Sequence, residues 1–243
     1  MTPEDAPPDL LPPVLPGTAA SDYERYLRTD ELLALQKAPG EMLHRDELLF
    51  TTVQQSSELW LKLACFELET AIEQVSRREV AAALRLLRRV VLCLELVTGA
   101  LELLERMTPW DFHEVRRALG HGSGFDSPGW ARLRRLLPGL GQELQALLRE
   151  RGLTVVSLYQ HDREHEELFQ LAELAIELDE RATLWRLRHF KVVERLIGGE
   201  VIGTQGTPVE LLRPLLDRRV FPELWAARTQ LTKLAWPDEN ALE

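Results

Sequence analysis

The chain has 243 residues, 45% of them hydrophobic and 28% charged, with 39 acidic against 29 basic side chains. Phosphate binding needs a positive surface, so a net charge of −10 disfavours nucleic acid as a partner. No run approaches the ~20 uncharged apolar residues of a membrane span, which leaves a cytoplasmic globular protein as the expectation.

Residues 1–20 are rich in proline and carry little periodic pattern, so they read as an extended arm that stays mobile unless a partner surface holds it. This amino terminus has neither a positive n-region nor a long apolar core, and secretion is not expected. Residues 21–235 read as a single helical domain and 236–243 as a loose tail, with no linker or repeat between. Leu59, Leu63, Phe66 and Ala71 suggest one helical stripe, with Ser56 or Ser57 as N-cap. Val80, Leu84, Leu87, Val91, Leu94, Thr98 and Leu101 alternate steps of four and three, the pattern of one face of a long helix. Cys65 and Cys93 fall inside these apolar patterns and are expected as free buried thiols. Thr108-Pro109 opens a third helix, with the threonine as cap and proline at the first helical position, and the Gly120–Gly124 stretch breaks it. A further helix is expected from about Glu164 to Ile197, ended by Gly198-Gly199. Alternating strand patterns are nearly absent. The expected fold is all-α, a bundle of long helices.

Six histidines are the first candidates for chemistry. His161 and His165, in His-Asp-Arg-Glu-His, match the H-x-x-E-H pattern of inverted zinc peptidases, where two histidines on one helix face hold the metal and glutamate acts as base. The same HDREHEE run also reads as a solvated, charged helix start. Gly120-His121-Gly122-Ser123-Gly124 resembles an anion-cradling loop, but it lacks the P-loop lysine and follows no strand, so a helix terminator is the simpler reading. His189 lies late in a long helix, in Trp185-Arg186-Leu187-Arg188-His189-Phe190. It is either a structural histidine or an axial ligand to haem iron; without a C-x-x-C-H motif such a haem is non-covalent.

Five segments then occur in order: SDYERYLRTDELLALQ, HRDELLFTTVQQSSELWLKL, MTPWDFHEVRRALGHGSGFDS, WRLRHFKVVERLIGGEVIGTQGT and FPELWAARTQL. Together they resemble tryptophan 2,3-dioxygenase and its superfamily of haem-dependent aromatic oxygenases, over about residues 21 to 232. The resemblance implies a haem b cofactor in a pocket of the helical bundle, with His189 as the axial iron ligand. It implies Arg116 as the clamp on a substrate carboxylate, a role that suits the planar fork of a guanidinium. It places Thr204 near the substrate ammonium, Phe50 beside the indole ring, and Ser123 and Gly124 in a small-residue loop over the haem. Tyr23, Tyr26 and Leu27 correspond to residues that reach into a neighbouring subunit's site, which implies a homotetramer built as a dimer of dimers. Taken alone, these three side chains only anchor a first helix.

Three departures stand out. Gln54 occupies the place of the usual distal histidine; its carbonyl accepts a hydrogen bond from an indole N–H but does not titrate near neutral pH. Phe112 stands where a tyrosine hydroxyl often helps bind the carboxylate. The chain is also several tens of residues shorter than the dioxygenases between Ser157–Tyr159 and the His189 helix. The expected activity is opening of the indole C2–C3 bond of L-tryptophan with O2 to give N-formylkynurenine. The alternative is a monooxygenase or peroxide-using hydroxylase of a tryptophan- or tyrosine-derived substrate. A zinc hydrolase at His161 and His165, and a non-catalytic helical scaffold, are the rivals from other classes.

Overall fold

A computed structural model describes residues 12–203 and 206–237. Nine α-helices are present among them: α1 (Asp22–Leu27), α2 (Thr29–Leu33), α3 (Asp46–Ser76), α4 (Val80–Leu104), α5 (Pro109–Ala118), α6 (Pro128–Glu150), α7 (Val155–Gln160), α8 (Glu166–Ile197) and α9 (Pro222–Ala235). The one β feature among the described residues is an isolated bridge between Ile202 and Pro208, so the all-α expectation holds. No described helix is long and apolar enough to cross a membrane.

The long helices α3 and α4 form an antiparallel hairpin, with α6 packed on α3 and α8 packed on α4. Arg78 makes the reversal at φ +69°, a conformation uncommon outside glycine, and its Nε donates to Glu150 at the end of α6 at 2.8 Å. The α4 stripe is buried as its spacing predicts, from Val80 and Leu84 through Leu94 to Leu101. The α3 stripe is not the expected one. Its core face is Leu61, Ala64, Cys65, Leu68, Ala71 and Val75, whereas Leu59, Leu63 and Phe66 lie on the outer face, Phe66 with 64% of its surface exposed. The helix is apolar on two faces, and periodicity alone does not say which one meets α4. Nor does α3 start at Ser56 or Ser57: both lie inside it, and Ser57 Oγ donates back to the Val53 carbonyl at 2.7 Å.

Cys65 and Cys93 are free and buried, as expected. Thr108 caps α5 by accepting the Asp111 N–H at 3.2 Å, with Pro109 at the first helical position. Ser127 does the same for α6, accepting from Trp130 N at 3.1 Å. The last long helix begins at Glu166 because residues Asp162–Glu164 form a separate 3-10 turn; Gly198, at φ +90°, ends it. The buried carboxylate of Asp179 in α8 fixes the start of α9, accepting from Val220 N at 2.8 Å, Phe221 N at 3.1 Å and Trp225 Nε1 at 3.0 Å.

The main core runs along α3, α4, α6 and α8. A second, smaller apolar cluster closes one end of the bundle: Val53, Leu101, Leu104, Met107, Val115, Val192 and Leu196. Phe50, Phe112 and Trp185 pack against it, so this end gathers the residues of interest. In the arm, residues 1–11 lie outside the description, but Val14 and Leu15 are held by the Asp22 carboxylate, which accepts both backbone N–H groups at 3.0 and 2.8 Å. Helix α1 buries none of its residues.

Candidate active site

His189 projects from α8 at the end closed by the second cluster. Trp185, one turn earlier on the same helix face, stacks on it with ring centroids 5.0 Å apart and planes 9° from parallel. Trp130 of α6 also packs on Trp185, with ring centroids 4.1 Å apart and planes tilted by 37°. Burial pulls the His189 pKa down from the ordinary imidazole value to about 4, so the ring is neutral at pH 7, the form a metal ligand requires.

Nε2 of His189 faces Gly124, where an added Cβ would stand 3.3 Å from the nitrogen. Gly124 opens a short 3-10 turn fixed by Ser123, whose Oγ accepts from Phe125 N at 3.3 Å while its own N–H donates to Asp126 at 3.1 Å. Glu58 of α3 holds the next residues, accepting from Ser127 Oγ and from Gly129 N at 3.0 Å. Phe50, Gln54 and Glu58 follow at successive turns on one face of α3. Phe50 meets Phe112 of α5, with ring centroids 6.2 Å apart. Gln54, between Phe50 and Glu58 in that row, is exposed and has no hydrogen-bond partner among the described residues.

Arg116 is on α5, one turn beyond Phe112. Its Nη2 donates to the Ile202 carbonyl at 3.1 Å. Ile202 begins a tight loop in which Gly203 N donates to the Thr207 carbonyl at 2.9 Å and Val209 N to the Val201 carbonyl at 3.1 Å. Thr204, which follows Gly203 in the sequence, lies outside the described residues. An open groove of about 480 Å³ runs beside Arg116, lined also by Trp110, His113, Arg117 and His121. Tyr23 and Tyr26 are 69% and 78% exposed, and Leu27 is exposed as well.

The zinc-peptidase reading loses its geometry. His161 ends α7 and His165 precedes α8, with the 3-10 turn between them, so the two histidines do not share a helix face. The chemistry of His189 suits a haem ligand, a neutral imidazole among aromatic walls, while Gly124 stands so close to Nε2 that a porphyrin enters only once its loop draws back. One protein nitrogen suffices for an iron whose equatorial positions a porphyrin fills.

A family profile described as tryptophan 2,3-dioxygenase matches residues 15–149 and 140–231. The chain belongs to the tryptophan 2,3-dioxygenase family. Similar proteins named tryptophan 2,3-dioxygenase come from Bacillus anthracis, 33% identical over 260 residues with 86% of this chain and 92% of the relative covered, and from Shewanella woodyi, 31% identical with 86% and 90% covered. The protein of that name from Caulobacter vibrioides is 34% identical, with 86% of this chain and 98% of the relative covered. These alignments are longer than the 243-residue chain, so the family carries a stretch this chain lacks. The two matched segments overlap at residues 140–149, within α6.

Three side chains at this end of the bundle escaped the sequence reading. Trp185 was legible in principle, since a ring four residues before a helical histidine lies on the same face. Glu58 and Trp130 were not, because each acts across a contact between helices distant in sequence.

Proposed function

We propose that this chain is a haem-dependent oxygenase that opens the indole C2–C3 bond of L-tryptophan with O2 to give N-formylkynurenine, acting in the cytoplasm. The observation that carries the reading is the neutral His189 ring with its Nε2 set against Gly124, in a chain of this family. Haem b held non-covalently on His189 would supply the iron at which dioxygen is activated.

The protein's part is positioning more than acid–base work. Arg116 binds the substrate carboxylate; the bond to Ile202 engages one guanidinium N–H and orients the rest of the fork. That bond also joins the clamp to the loop of Thr204, which is assigned to the substrate ammonium. Phe50 lies beside the indole ring, and its contact with Phe112, which stands in the place of a carboxylate-binding tyrosine, steadies it. Gln54 accepts the indole N–H through its side-chain carbonyl and leaves no titrating group there. Ser123 and Gly124 form the loop over the haem.

The single helical domain is assigned to residues 21–235, and the working form to a homotetramer. The exposed Tyr23, Tyr26 and Leu27 support this, since α1 buries nothing within its own chain and its aromatic side chains are available to complete a neighbour's site. Incubating the reduced, haem-loaded protein with L-tryptophan under labelled O2 tests the reaction. N-formylkynurenine with both labelled atoms is expected. Single-oxygen products without formylkynurenine would favour the monooxygenase reading, for which the replacements Gln54 and Phe112 speak.

A further inference from the structure

We propose that Trp185 and Trp130 are positioning residues for His189: a two-ring backing that sets the rotation of the imidazole about its bond to iron. The inference rests on the haem reading above and concerns side chains to which nothing else in the site gives a role.

A metal-bound histidine usually owes its ring orientation to a hydrogen bond from its second nitrogen to a carboxylate, a carbonyl or water. Among the described residues, the contact of the His189 ring is the stacked indole of Trp185. The nearly parallel face of Trp185 at 5.0 Å and 9° is the contact that opposes rotation of the imidazole plane. Trp185 in turn has little freedom. It packs against both apolar clusters, and the Trp130 ring lies against it at 4.1 Å.

Two further observations favour the ring face as the working part. The Trp185 Nε1–H is buried with no acceptor among the described residues, so an indole here forgoes a hydrogen bond that a hydrocarbon side chain would not need. Trp130 is itself buried in the main core near the start of α6, where Ser127 accepts from its N–H and Glu58 holds the preceding glycine. The backing therefore ties the ligand's orientation to the helix that also carries the Gly124 loop at its amino-terminal end.

The test compares wild type with Trp130→Leu, Trp130→Phe, Trp185→Leu and Trp185→Phe, all loaded with haem. Two readouts report the iron–imidazole bond directly: the iron–histidine stretching band of the reduced protein, and the spread of g values of the low-spin ferric form. Both leucine variants are expected to shift and broaden the stretching band and to change the g-value spread. The phenylalanine variants, which keep a ring in the stack, should return most of the wild-type signature. The Trp130 pair keeps the test decisive where a Trp185 variant fails to fold. If the variants lose stability or haem occupancy while the bound fraction keeps wild-type spectra, the tryptophans are merely structural and the inference is overturned. A wild-type protein with no histidine–iron band overturns the haem reading, and this inference with it.

Discussion

Glu58 and Gly129 are joined by a hydrogen bond of 3.0 Å that fastens the middle of α3 to the first turn of α6. The approach is so close that a Cβ at position 129 would lie 2.6 Å from the Leu61 Cβ, which only glycine avoids. The same carboxylate accepts from Ser127 Oγ, the cap of α6. One side chain thereby sets the distance between the α3 face of Phe50 and Gln54 and the loop of Ser123 and Gly124.

Glu58→Ala should therefore destabilise the protein by about 1.5–3 kcal/mol, the usual range for hydrogen bonds to a charged group. Urea unfolding measures the loss. Because the loop is released as well, haem affinity should fall with it, and a variant with full stability and full affinity would contradict the linkage.

Arg116→Lys should weaken substrate binding even though the charge is kept, because lysine lacks the planar fork. Loss of one charged hydrogen bond, about 1.5–3 kcal/mol, corresponds to roughly ten- to a hundredfold in affinity. Calorimetric titration with tryptophan reads this. Tryptophan amide should bind the wild type poorly and should not be discriminated from the acid by Arg116→Ala.

Acid should loosen the segment that leads into α3. Glu47, buried at its start, bonds to Lys37 at 2.7 Å and accepts the backbone N–H groups of Leu43 and His44. The Lys37 hydrogen bond, with help from those amides, holds the Glu47 carboxyl below the usual carboxylate range against the opposing effect of burial. The folded state thus binds its proton less readily than the unfolded chain. The stabilisation is complete above the ordinary carboxylate pKa of about 4.3 and is lost as pH falls through the lowered folded value. Urea midpoints of wild type and Glu47→Gln should differ at pH 7 and converge as the pH is taken below 4.

The sequence spoke most clearly where local chemistry decides the outcome. Thr108-Pro109 starts α5, Gly198 stops α8, and the four-three spacing from Val80 to Leu101 is the buried face of α4. It misled where tertiary contact decides. Leu59, Leu63 and Phe66 have helical spacing but face outward, since α4 and α6 choose the other side of α3. The H-x-x-E-H pattern required a continuous helix through His161 and His165, and the 3-10 turn removes it. Of the site residues read by resemblance, Tyr23, Tyr26 and Leu27 stand exposed on α1, while Phe50 meets Phe112 and Gly124 meets His189. What fixes them there, Glu58 from α3 and Trp130 from α6, depends on approaches between helices that no spacing encodes.

The most direct test of the account is haem titration of His189→Ala beside wild type, with His161→Ala and His165→Ala as companions. Wild type and both companions should bind haem with the same Soret band and the same ferrous–CO spectrum, while His189→Ala should lose that spectrum or most of its haem. An unchanged spectrum in His189→Ala would contradict the assignment of the iron to this residue.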